Sequence, residues 1–369
     1  MAKILCVIGT RPEAIKMAPV VVSLRERFCS CEHSVMLVGT GQHEEILNEA
    51  LAVFGLRLDQ RLGALVPGQG LAPLLGRLLA ELDSYLSTNL PHFVLAQGDT
   101  SSVFAAAICS FYRGIPFGHI EAGLRTGNLQ HPFPEEFHRL ATSIAANVHF
   151  APTEKARISL LNQGVDGSAI LVTGNTVIDA ARLVPVDTTI VESLGIRANA
   201  RLIVMTTHRR ESQGIAMAAA LRAVRAVAEA HPGVFVVLPV HPNPSVATVV
   251  RRELGDSPAV ILSPPLRYGE MINLLRRAFV VVTDSGGIQE EAQFLGAPVL
   301  ITRDHTERQE IVELGSAVLV GSAGEGLKSN LERLLSDGDH YASMAHKPSP
   351  YGGGGAAAKI SEFIWHRLT

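Results

Sequence analysis

Three carboxylates in the first half of the chain have the type and placement for acid–base chemistry. Asp99 follows the apolar run "FVLAQG", Glu121 lies in "GHIEAGLRT", and Glu135 lies in "PFPEEFHR". Each is near a predicted strand end or in a loop, where a single carboxylate is ordinarily just solvated. Three such groups opposite a nucleotide-binding domain would instead act as proton donors and acceptors.

The stretch "DSGGIQEEA" in the second half predicts where a nucleotide binds. It follows the apolar run "FVVVT" and places Ser285, Gly286 and Gly287 where a strand turns into a helix, so their backbone N–H groups could bind a phosphate. Glu290 and Glu291 lie about one helical turn further on, and one of them could bond ribose hydroxyls. The alternative is an N-capped helix whose acidic residues favour its dipole.

A cationic turn follows the first predicted strand. In "GTRPEAIK", Gly9 and Thr10 form a tight turn, and Arg11 and Lys16 lie around a helix that begins near Pro12. Two cations and free backbone N–H groups at a helix start would suit a diphosphate. A surface turn with solvated charges is the alternative, and this motif alone does not decide between the two.

Two further strand ends carry candidate ligand-binding groups. "HRRES" ends a predicted strand with His208, Arg209 and Arg210, which favours another anion site. His241 ends the next strand in "PVHPNP", where a core histidine explains the pattern as well as a ligand contact does. The prediction of an anion site therefore rests on "HRRES" rather than on His241.

Charge and absent motifs exclude several function classes. Lys and Arg number 32 against 35 Asp and Glu, and the net charge of -3 gives no general attraction to nucleic acid or to an anionic membrane. No G-x-G-x-x-G follows a strand, no G-x-x-x-x-G-K-[ST] occurs, and the histidines lack metal-site spacing. Redox, kinase-like and zinc chemistry are disfavoured, and we expect no cofactor and no metal.

The cysteines and the first residues predict a cytoplasmic protein. Only Cys29 and Cys31 are close, and a C-x-C pair alone has neither zinc nor disulfide-framework spacing, so we interpret the four cysteines as reduced thiols. The start "MAKILCVIG" lacks a signal-peptide layout, and no apolar stretch approaches the ~18 residues that a membrane span requires.

The apolar pattern predicts the strands and helices that position these residues. Short β-rich runs alternate with helix-length stretches in two series, which predicts an α/β protein with two Rossmann-like, doubly wound parallel-sheet domains facing a cleft. We place the first domain at 1–182, a link around "LVPVDTTI", and the second domain at 191–354. A glycine-rich break then precedes a final helix at 355–369, which could pack back across the domain boundary.

The motifs together resemble a known family. "GTRPEAIKMAP", "GDT", "GHIEAGLRTG", "PFPEE", "TGNTVID", "HRRES" and "DSGGIQEEA…LGAPVL", in this order, resemble the non-hydrolysing bacterial UDP-N-acetylglucosamine 2-epimerases over nearly the whole chain. The resemblance implies a glycosyltransferase-B-like fold, a homodimer, and interconversion of UDP-GlcNAc and UDP-ManNAc. It also implies a supply of ManNAc-type sugars for cell-surface polysaccharide synthesis.

The resemblance assigns roles to residues by matching motif. The catalytic acids fall on Asp99, Glu121 and Glu135, His208 acts near the leaving diphosphate, and Lys16 matches another functionally important residue. The UDP contacts fall on Arg11, His208, Ser285, Gly286, Gly287 and Glu291, with Met271 in place of a frequent Phe near the uracil. A second UDP-GlcNAc, bound as activator, would contact Gln42, His43, Gln69, Glu136, Arg209, Arg210 and His241.

The missing dinucleotide motif favours one mechanism over another. The C2 proton of the sugar is not adjacent to a carbonyl, so C2 becomes reactive either by transient oxidation, which needs NAD, or by elimination of UDP across C1 and C2. We expect elimination. A 2-epimerase of UDP-linked 2,3-diacetamido uronic acids, a UDP-sugar glycosyltransferase, a hydrolysing epimerase and a UDP-sugar sensor remain the alternatives.

Overall fold

The computed structural model of the chain describes residues 2–29, 34–41, 44–63, 68–207, 215–321 and 324–369. It divides into two compact units. The first unit comprises Met1–Leu183 together with Tyr351–Thr369, and the second comprises Val184–Pro350.

The first unit is a parallel sheet with helices between its strands. Its strands are β1 (Lys3–Ile8), β2 (Ser34–Gly39), β3 (Gln60–Arg61), β4 (Phe93–Gln97), β5 (Phe117–Ile120), β6 (Val148–Ala151) and β7 (Ile170–Val172). The helices are α1 (Arg11–Phe28), α2 (Glu44–Ala52), α3 (Leu71–Asn89), α4 (Ser101–Tyr112), α5 (Glu135–Ala145), α6 (Glu154–Leu161) and α7 (Thr176–Leu183). A short 3₁₀ helix spans Gly167–Ala169.

The strand order of this sheet determines where a ligand can bind. Within the described residues the order is β3-β2-β1-β4-β5-β6-β7, and every pairing is parallel. All five residues of β4 are buried, because a central parallel strand is covered by helices on both faces. The order reverses direction between β1 and β4, and ligands of such sheets bind outside the carboxyl ends of the strands at this point. The turns after β1 and β4 carry Gly9 to Arg11 and Gly98 to Thr100.

The second unit repeats this architecture. Its strands are β8 (Arg201–Thr206), β9 (Val234–Pro239), β10 (Val260–Ser263), β11 (Val280–Thr283), β12 (Val299–Ile301) and β13 (Ala317–Leu319). The helices are α8 (Thr189–Ser193), α9 (Ile215–Ala230), α10 (Pro244–Leu254), α11 (Tyr268–Arg276), α12 (Gly286–Phe294), α13 (Gln309–Glu313), α14 (Gly324–Ser336) and α15 (Gly338–Met344). In the described part the strand order is β10-β9-β8-β11-β12-β13, again with parallel pairings. The turn after β11 therefore lies at the corresponding switch point, and it carries the glycine-rich stretch.

The predicted link belongs to the second unit, which begins at 184 rather than 191. Val184 is buried, and Arg276 donates to the carbonyl oxygens of Val184 at 2.8 Å and of Pro185 at 3.2 Å. Asn273 also donates to Pro185, at 3.1 Å. The segment without helical periodicity is thus held by side chains of α11, and α8 follows it directly.

The second unit ends at 350 rather than 354, because Tyr351 is already packed in the first unit. The backbone N–H of Asn175 donates to the Tyr351 carbonyl oxygen at 2.9 Å. The last helix, α16 (Ala356–Leu368), packs on α1 and α7. The Asp179 side chain accepts from the backbone N–H groups of the residues at its start, Gly355, Ala356 and Ala357, at 2.8, 3.2 and 3.2 Å.

Candidate active site

Glu121 lies directly after β5 and is surrounded by hydrogen-bond donors. Lys16 Nζ is 2.7 Å from both of its carboxylate oxygens, and both side chains are about nine-tenths buried or more, with exposures of 10% for Lys16 and 5% for Glu121. Asn175 Nδ2 donates to Oε1 at 3.2 Å, and Gln97 Nε2 donates to Oε2. The backbone of Glu121 is in the left-handed region, with φ 64°, which is rare for a residue with a side chain and is concentrated at functional sites. This carboxylate is therefore held in one position and its charge is compensated.

Asp99 lies at the switch point after β4. Arg139 of α5 donates to its Oδ2 from Nε at 2.9 Å and from Nη2 at 2.7 Å. His138 Nδ1 donates to the Asp99 carbonyl oxygen at 2.8 Å. About a quarter of the Asp99 side chain is exposed, which leaves it accessible to a ligand.

Glu135, the first residue of α5, differs from the other two acids. Its Oε2 is buried and has no hydrogen-bond partner among the residues that the structure describes. Buried polar atoms almost always have a partner, and an exception at the start of a helix beside other acids indicates a position that a ligand completes. The structure thus places all three predicted acids in the first unit, in loops or helix starts that follow the carboxyl ends of its strands.

Glu136, a predicted activator contact, is bonded within the first unit. It is buried, and its Oε1 accepts from the backbone N–H groups of Thr126 and Gly127, each at 3.1 Å. Its Oε2 accepts from Arg139 at 3.2 Å. Because this carboxylate is used inside the first unit, we expect it to hold the loop before α5 rather than to contact a second ligand.

Two buried histidines lie side by side on β5 and β6, and one of them supports the loop that carries Asp99; sequence analysis assigned neither a role. His119 of β5 and His149 of β6 are partners in the sheet register, and burial lowers the pKa of each to about 4, so both are neutral. His119 Nε2 donates to the Gly98 carbonyl oxygen at 2.7 Å. The polar residue inside each of the apolar runs "FGHI" and "VHFA" was the signal for this role.

Glu13, which sequence analysis also missed, lies buried at the start of α1. Its Oε2 accepts from the backbone N–H groups of Gly9 and of Thr10, the latter at 2.9 Å, and Thr100 Oγ1 donates to its Oε1. Glu13 thus takes the N–H groups of Gly9 and Thr10, and Lys16 is paired with Glu121, while a diphosphate contact at this turn stays a prediction. Arg11, half-buried at the start of α1, is the remaining predicted cation.

The buried Glu13 carboxyl predicts a pH dependence of stability. Burial raises its pKa from 4.5 to about 7, against the lowering effect of its three hydrogen bonds. A raised folded-state pKa favours the protonated form, so this stability is present below pH 4.5 and is lost as the pH rises through about 7. Between about pH 5 and pH 8 the wild type should lose about 2 to 3 kcal/mol of unfolding free energy that Glu13→Gln keeps. Urea denaturation at both pH values measures this, and identical losses in the two proteins would contradict it.

The glycine-rich turn of the second unit has no side-chain cap in the described structure, and the Ser285 N–H donates to Thr283 Oγ1 at 3.0 Å. α12 begins at Gly286 with Ser285 as its N-cap residue, and the Ser285 side chain makes no cap hydrogen bond in the described structure. Ser285, Gly286 and Gly287 are all half-buried. The N-capped alternative therefore lacks the side-chain cap, and the start of α12 is suited to an anion.

The two glutamates of this helix have separate surroundings. Arg308 Nε donates to Glu290 Oε1 at 2.6 Å, and both side chains are almost fully buried. The Arg308 guanidinium carbon also lies 3.3 Å from where a Cβ on Gly286 would be, so a side chain at that position would meet it. Glu290 is thus committed to a structural ion pair, and Glu291, also buried, stays the predicted ribose contact.

The other predicted ligand residues are distributed over both units. Met271 lies half-buried on α11, His241 follows β9 and accepts from the backbone of Asn243 at 3.1 Å, and Gln69 precedes α3 and accepts from Arg77. Five predicted residues lie outside the described residues: Gln42, His43, His208, Arg209 and Arg210.

Among the residues that the structure describes, no cluster of three or more His, Cys, Asp or Glu side chains could hold a metal ion. Within the same residues, no helix has both the length and the apolar character needed to cross a bilayer.

Two Rossmann-like parallel sheets, one followed by acids and the other by a glycine-rich turn, define an α/β enzyme with a glycosyltransferase-B-like fold. Residues 30–365 match the family model described as UDP-N-acetylglucosamine 2-epimerase. The chain belongs to this family and is an isomerase. The predicted family, fold class and enzyme class are confirmed.

Individual relatives match along their whole length. A probable UDP-N-acetylglucosamine 2-epimerase of Ralstonia nicotianae is 44% identical over 374 residues, covering 99% of each chain. The UDP-N-acetylglucosamine 2-epimerase of Salmonella typhimurium is 42% identical over 371 residues, covering 98% of each chain. The crystal structure of UDP-GlcNAc 2-epimerase from Neisseria meningitidis bound to UDP-GlcNAc has a TM-score of 0.92 and 38% identity, covering 99% of this chain and 100% of that one.

Proposed function

We propose that the protein interconverts UDP-GlcNAc and UDP-ManNAc without hydrolysis, by elimination of UDP and its readdition. The observation that carries the mechanism is the set of three differently held carboxylates, Asp99, Glu121 and Glu135, at the carboxyl end of the first sheet. Inversion at C2 requires a proton to be removed on one face and returned on the other, so one carboxylate does not suffice.

The elimination is balanced without an oxidant. A carboxylate removes the C2 proton, the electrons of the C2–H bond form the C1=C2 bond, and the C1–O bond breaks with its electrons leaving on UDP. The product is 2-acetamidoglucal, and readdition of UDP at C1 with protonation at the opposite face of C2 gives the epimer. Stabilising the departing diphosphate is therefore the second requirement.

The acids differ in what they offer to this cycle. Asp99 and Glu121 are each paired with a cation, Arg139 and Lys16 respectively. Glu135 has a buried oxygen without a partner among the described residues, which is available to a substrate group. We therefore assign proton exchange at the sugar to these three acids together, and Lys16 to the orientation of Glu121.

The nucleotide half of the substrate is assigned to the second unit. The start of α12 at Gly286 and Gly287 supports diphosphate binding, because the Ser285 side chain does not cap this helix in the described structure. Ser285 is assigned to the same diphosphate on the sequence resemblance. Glu291 is assigned to the ribose hydroxyls and Met271 to the neighbourhood of the uracil. Arg11 and His208 are assigned to the departing diphosphate on the sequence resemblance alone.

Acceptor-free conversion tests this function. In deuterium oxide, proton NMR of the protein with UDP-GlcNAc alone should show UDP-ManNAc carrying deuterium at C2, and long incubation should release UDP and 2-acetamidoglucal. An ¹⁸O label in the C1–O–P bridge should scramble into the non-bridging β-phosphate oxygens, read by ³¹P NMR. Free ManNAc with UDP would indicate the hydrolysing epimerase, and a requirement for an acceptor would indicate a glycosyltransferase. A bridge label retained over many turnovers would contradict elimination.

A homodimer belongs to the same proposal. Tyr112 and Ile144 lie near the carboxyl ends of α4 and α5, two helices that pack together, and they are 80% and 87% exposed. Exposed apolar groups on neighbouring helices support a protein contact. Light scattering should show a dimer for the wild type and for Ile158→Glu, which changes an exposed isoleucine of α6, and a monomer for Ile144→Glu. A monomeric wild type would contradict the proposal.

Two finer points rest on the sequence. A second UDP-GlcNAc as activator is supported by the family resemblance, and we omit Glu136 from its contacts because that side chain is buried and bonded within the first unit. A cytoplasmic location is supported by free Cys6, Cys29 and Cys109, since thiols persist in a reducing compartment.

A further inference from the structure

The turn between β1 and α1 holds a carboxylate where a nucleotide-binding fold usually holds a phosphate. In such folds the backbone N–H groups after the first strand and at the helix start bind the pyrophosphate. Here the N–H groups of Gly9 and Thr10 donate to Glu13, three residues into the helix. The anion at this helix start is thus supplied by the chain itself.

The space above Gly9 is also filled. A Cβ on this residue would lie 2.1 Å from Ser102 Oγ and 2.7 Å from Thr40 Oγ1, and these two hydroxyls are 2.9 Å apart. In a dinucleotide fold, glycine at this turn lets the backbone approach the phosphate closely. Here glycine is needed because the Ser102 and Thr40 hydroxyls occupy the place that a side chain would take.

Glu13 is linked to the proposed catalytic Asp99. Thr100 Oγ1 donates to Glu13 Oε1, and Thr100 is the residue directly after Asp99. Asp99 is therefore fixed from two directions, by Arg139 at its carboxylate and by the Glu13–Thr100 bond at its backbone. The Glu13 carboxylate also fixes the turn after β1, which leads into Arg11.

We propose that Glu13 is the positioning residue for the Asp99 loop: its carboxylate holds the turn after β1 through Gly9 and Thr10, and the turn after β4 through Thr100. This proposal rests on the proposed function of Asp99. The charged group that faces Glu13 from outside its helix is Asp99, itself paired with Arg139. On the helix that carries Glu13, Lys16 is paired with Glu121, and Arg11 lies two residues before Glu13.

Chemical rescue provides the test. Glu13→Ala removes the carboxylate, and because a small misplacement of a catalytic group costs on the order of 100-fold, kcat should fall by ~100-fold with KM for UDP-GlcNAc changed less than ~3-fold. Sodium formate, a carboxylate small enough for the vacated space, should restore kcat by at least ~10-fold. Glu26→Ala, at an exposed glutamate of the same helix, should keep the wild-type kcat with and without formate.

A second variant covers the case in which Glu13→Ala does not fold. Glu13→Gln keeps an acceptor for the two backbone N–H groups but has no ionisable group. The wild-type kcat should rise through about pH 7, where Glu13 ionises and becomes the stronger acceptor, whereas kcat of Glu13→Gln should stay flat and ~10-fold below the wild-type plateau. Superimposable pH profiles would overturn the proposal.

The outcomes separate this role from the epimerase mechanism. Loss of kcat in Glu13→Ala without any response to formate, in a folded protein, would show that Glu13 is only structural. Wild-type kcat in Glu13→Ala would show that it has no role at all. In both cases a large loss in Asp99→Asn would still support the catalytic function of Asp99, so failure of one proposal does not imply failure of the other.

Discussion

Replacing Glu121 with glutamine is expected to lower kcat by at least ~100-fold, the scale for removing a positioned acid or base. Glutamine has the same shape, and its amide oxygen can still accept from Lys16 Nζ, but the buried ammonium loses its counter-charge. Urea denaturation of the variant must therefore accompany the kinetics to show that it is folded. Glutamine cannot take up or return a proton. Asp99→Asn and Glu135→Gln should show losses of similar size, because each removes one of the three groups available at the sugar.

The measurement is the rate of UDP-ManNAc formation, together with the rate of deuterium entry at C2. If Glu121 transfers the C2 proton, both rates should fall together. Glu154→Gln, at an exposed glutamate of α6 paired with Arg157, is the control and should retain the wild-type rate. Near-wild-type rates in all three acid variants, with circular dichroism unchanged, would refute the assignment of catalysis to these acids.

Replacing Lys16 with methionine is expected to destabilise the protein by about 3 to 5 kcal/mol and to inactivate it. The Lys16 and Glu121 side chains are 10% and 5% exposed, so removal of the cation leaves a buried carboxylate without charge compensation. Urea denaturation measures the loss. The ion pair of Arg113 with Asp83 is the matched comparison: its side chains are 30% and 51% exposed, and Arg113→Met should cost far less than Lys16→Met.

The double variant Lys16→Met with Glu121→Gln separates stability from catalysis. Without the charge on residue 121, most of the stability lost in Lys16→Met should return, because a neutral amide costs less to bury than an unpaired carboxylate. Activity should not return. If the double variant is as unstable as Lys16→Met, the charge of Glu121 is not the cause of the destabilisation.

The sheets could be predicted from the sequence because their central strands are short, apolar and buried on both faces. "FVLAQ" is an example, since all five residues are buried in β4. The start of the second unit could not be predicted in the same way. The segment around Val184 and Pro185 has no local periodicity, and the side chains that hold it, Asn273 and Arg276, come 88 to 92 residues later.

The site shows the same division between local and long-range information. The residue types and strand-end positions of Asp99, Glu121 and Glu135 identified candidate acids. The spacing of "GTRPEAIK" suggested that Lys16 faces a phosphate, but Glu121, 105 residues away, takes its ammonium group. Glu13 was overlooked for the related reason that its partners become apparent only when the turns after β1 and β4 meet.

The return of the C-terminal segment to the first unit affects the order in which the protein can be assembled during synthesis. The second unit is one continuous stretch, 184–350, and can be completed as soon as that stretch has left the ribosome. The first unit is discontinuous: until residues 351–369 follow, Phe28 lacks its contact with Trp365, whose ring lies 4.9 Å away, and Asp179 has no helix start to bind. The unit that is translated first is therefore the last to be finished, and a fragment ending at residue 183 would expose the faces of α1 and α7 that α16 covers.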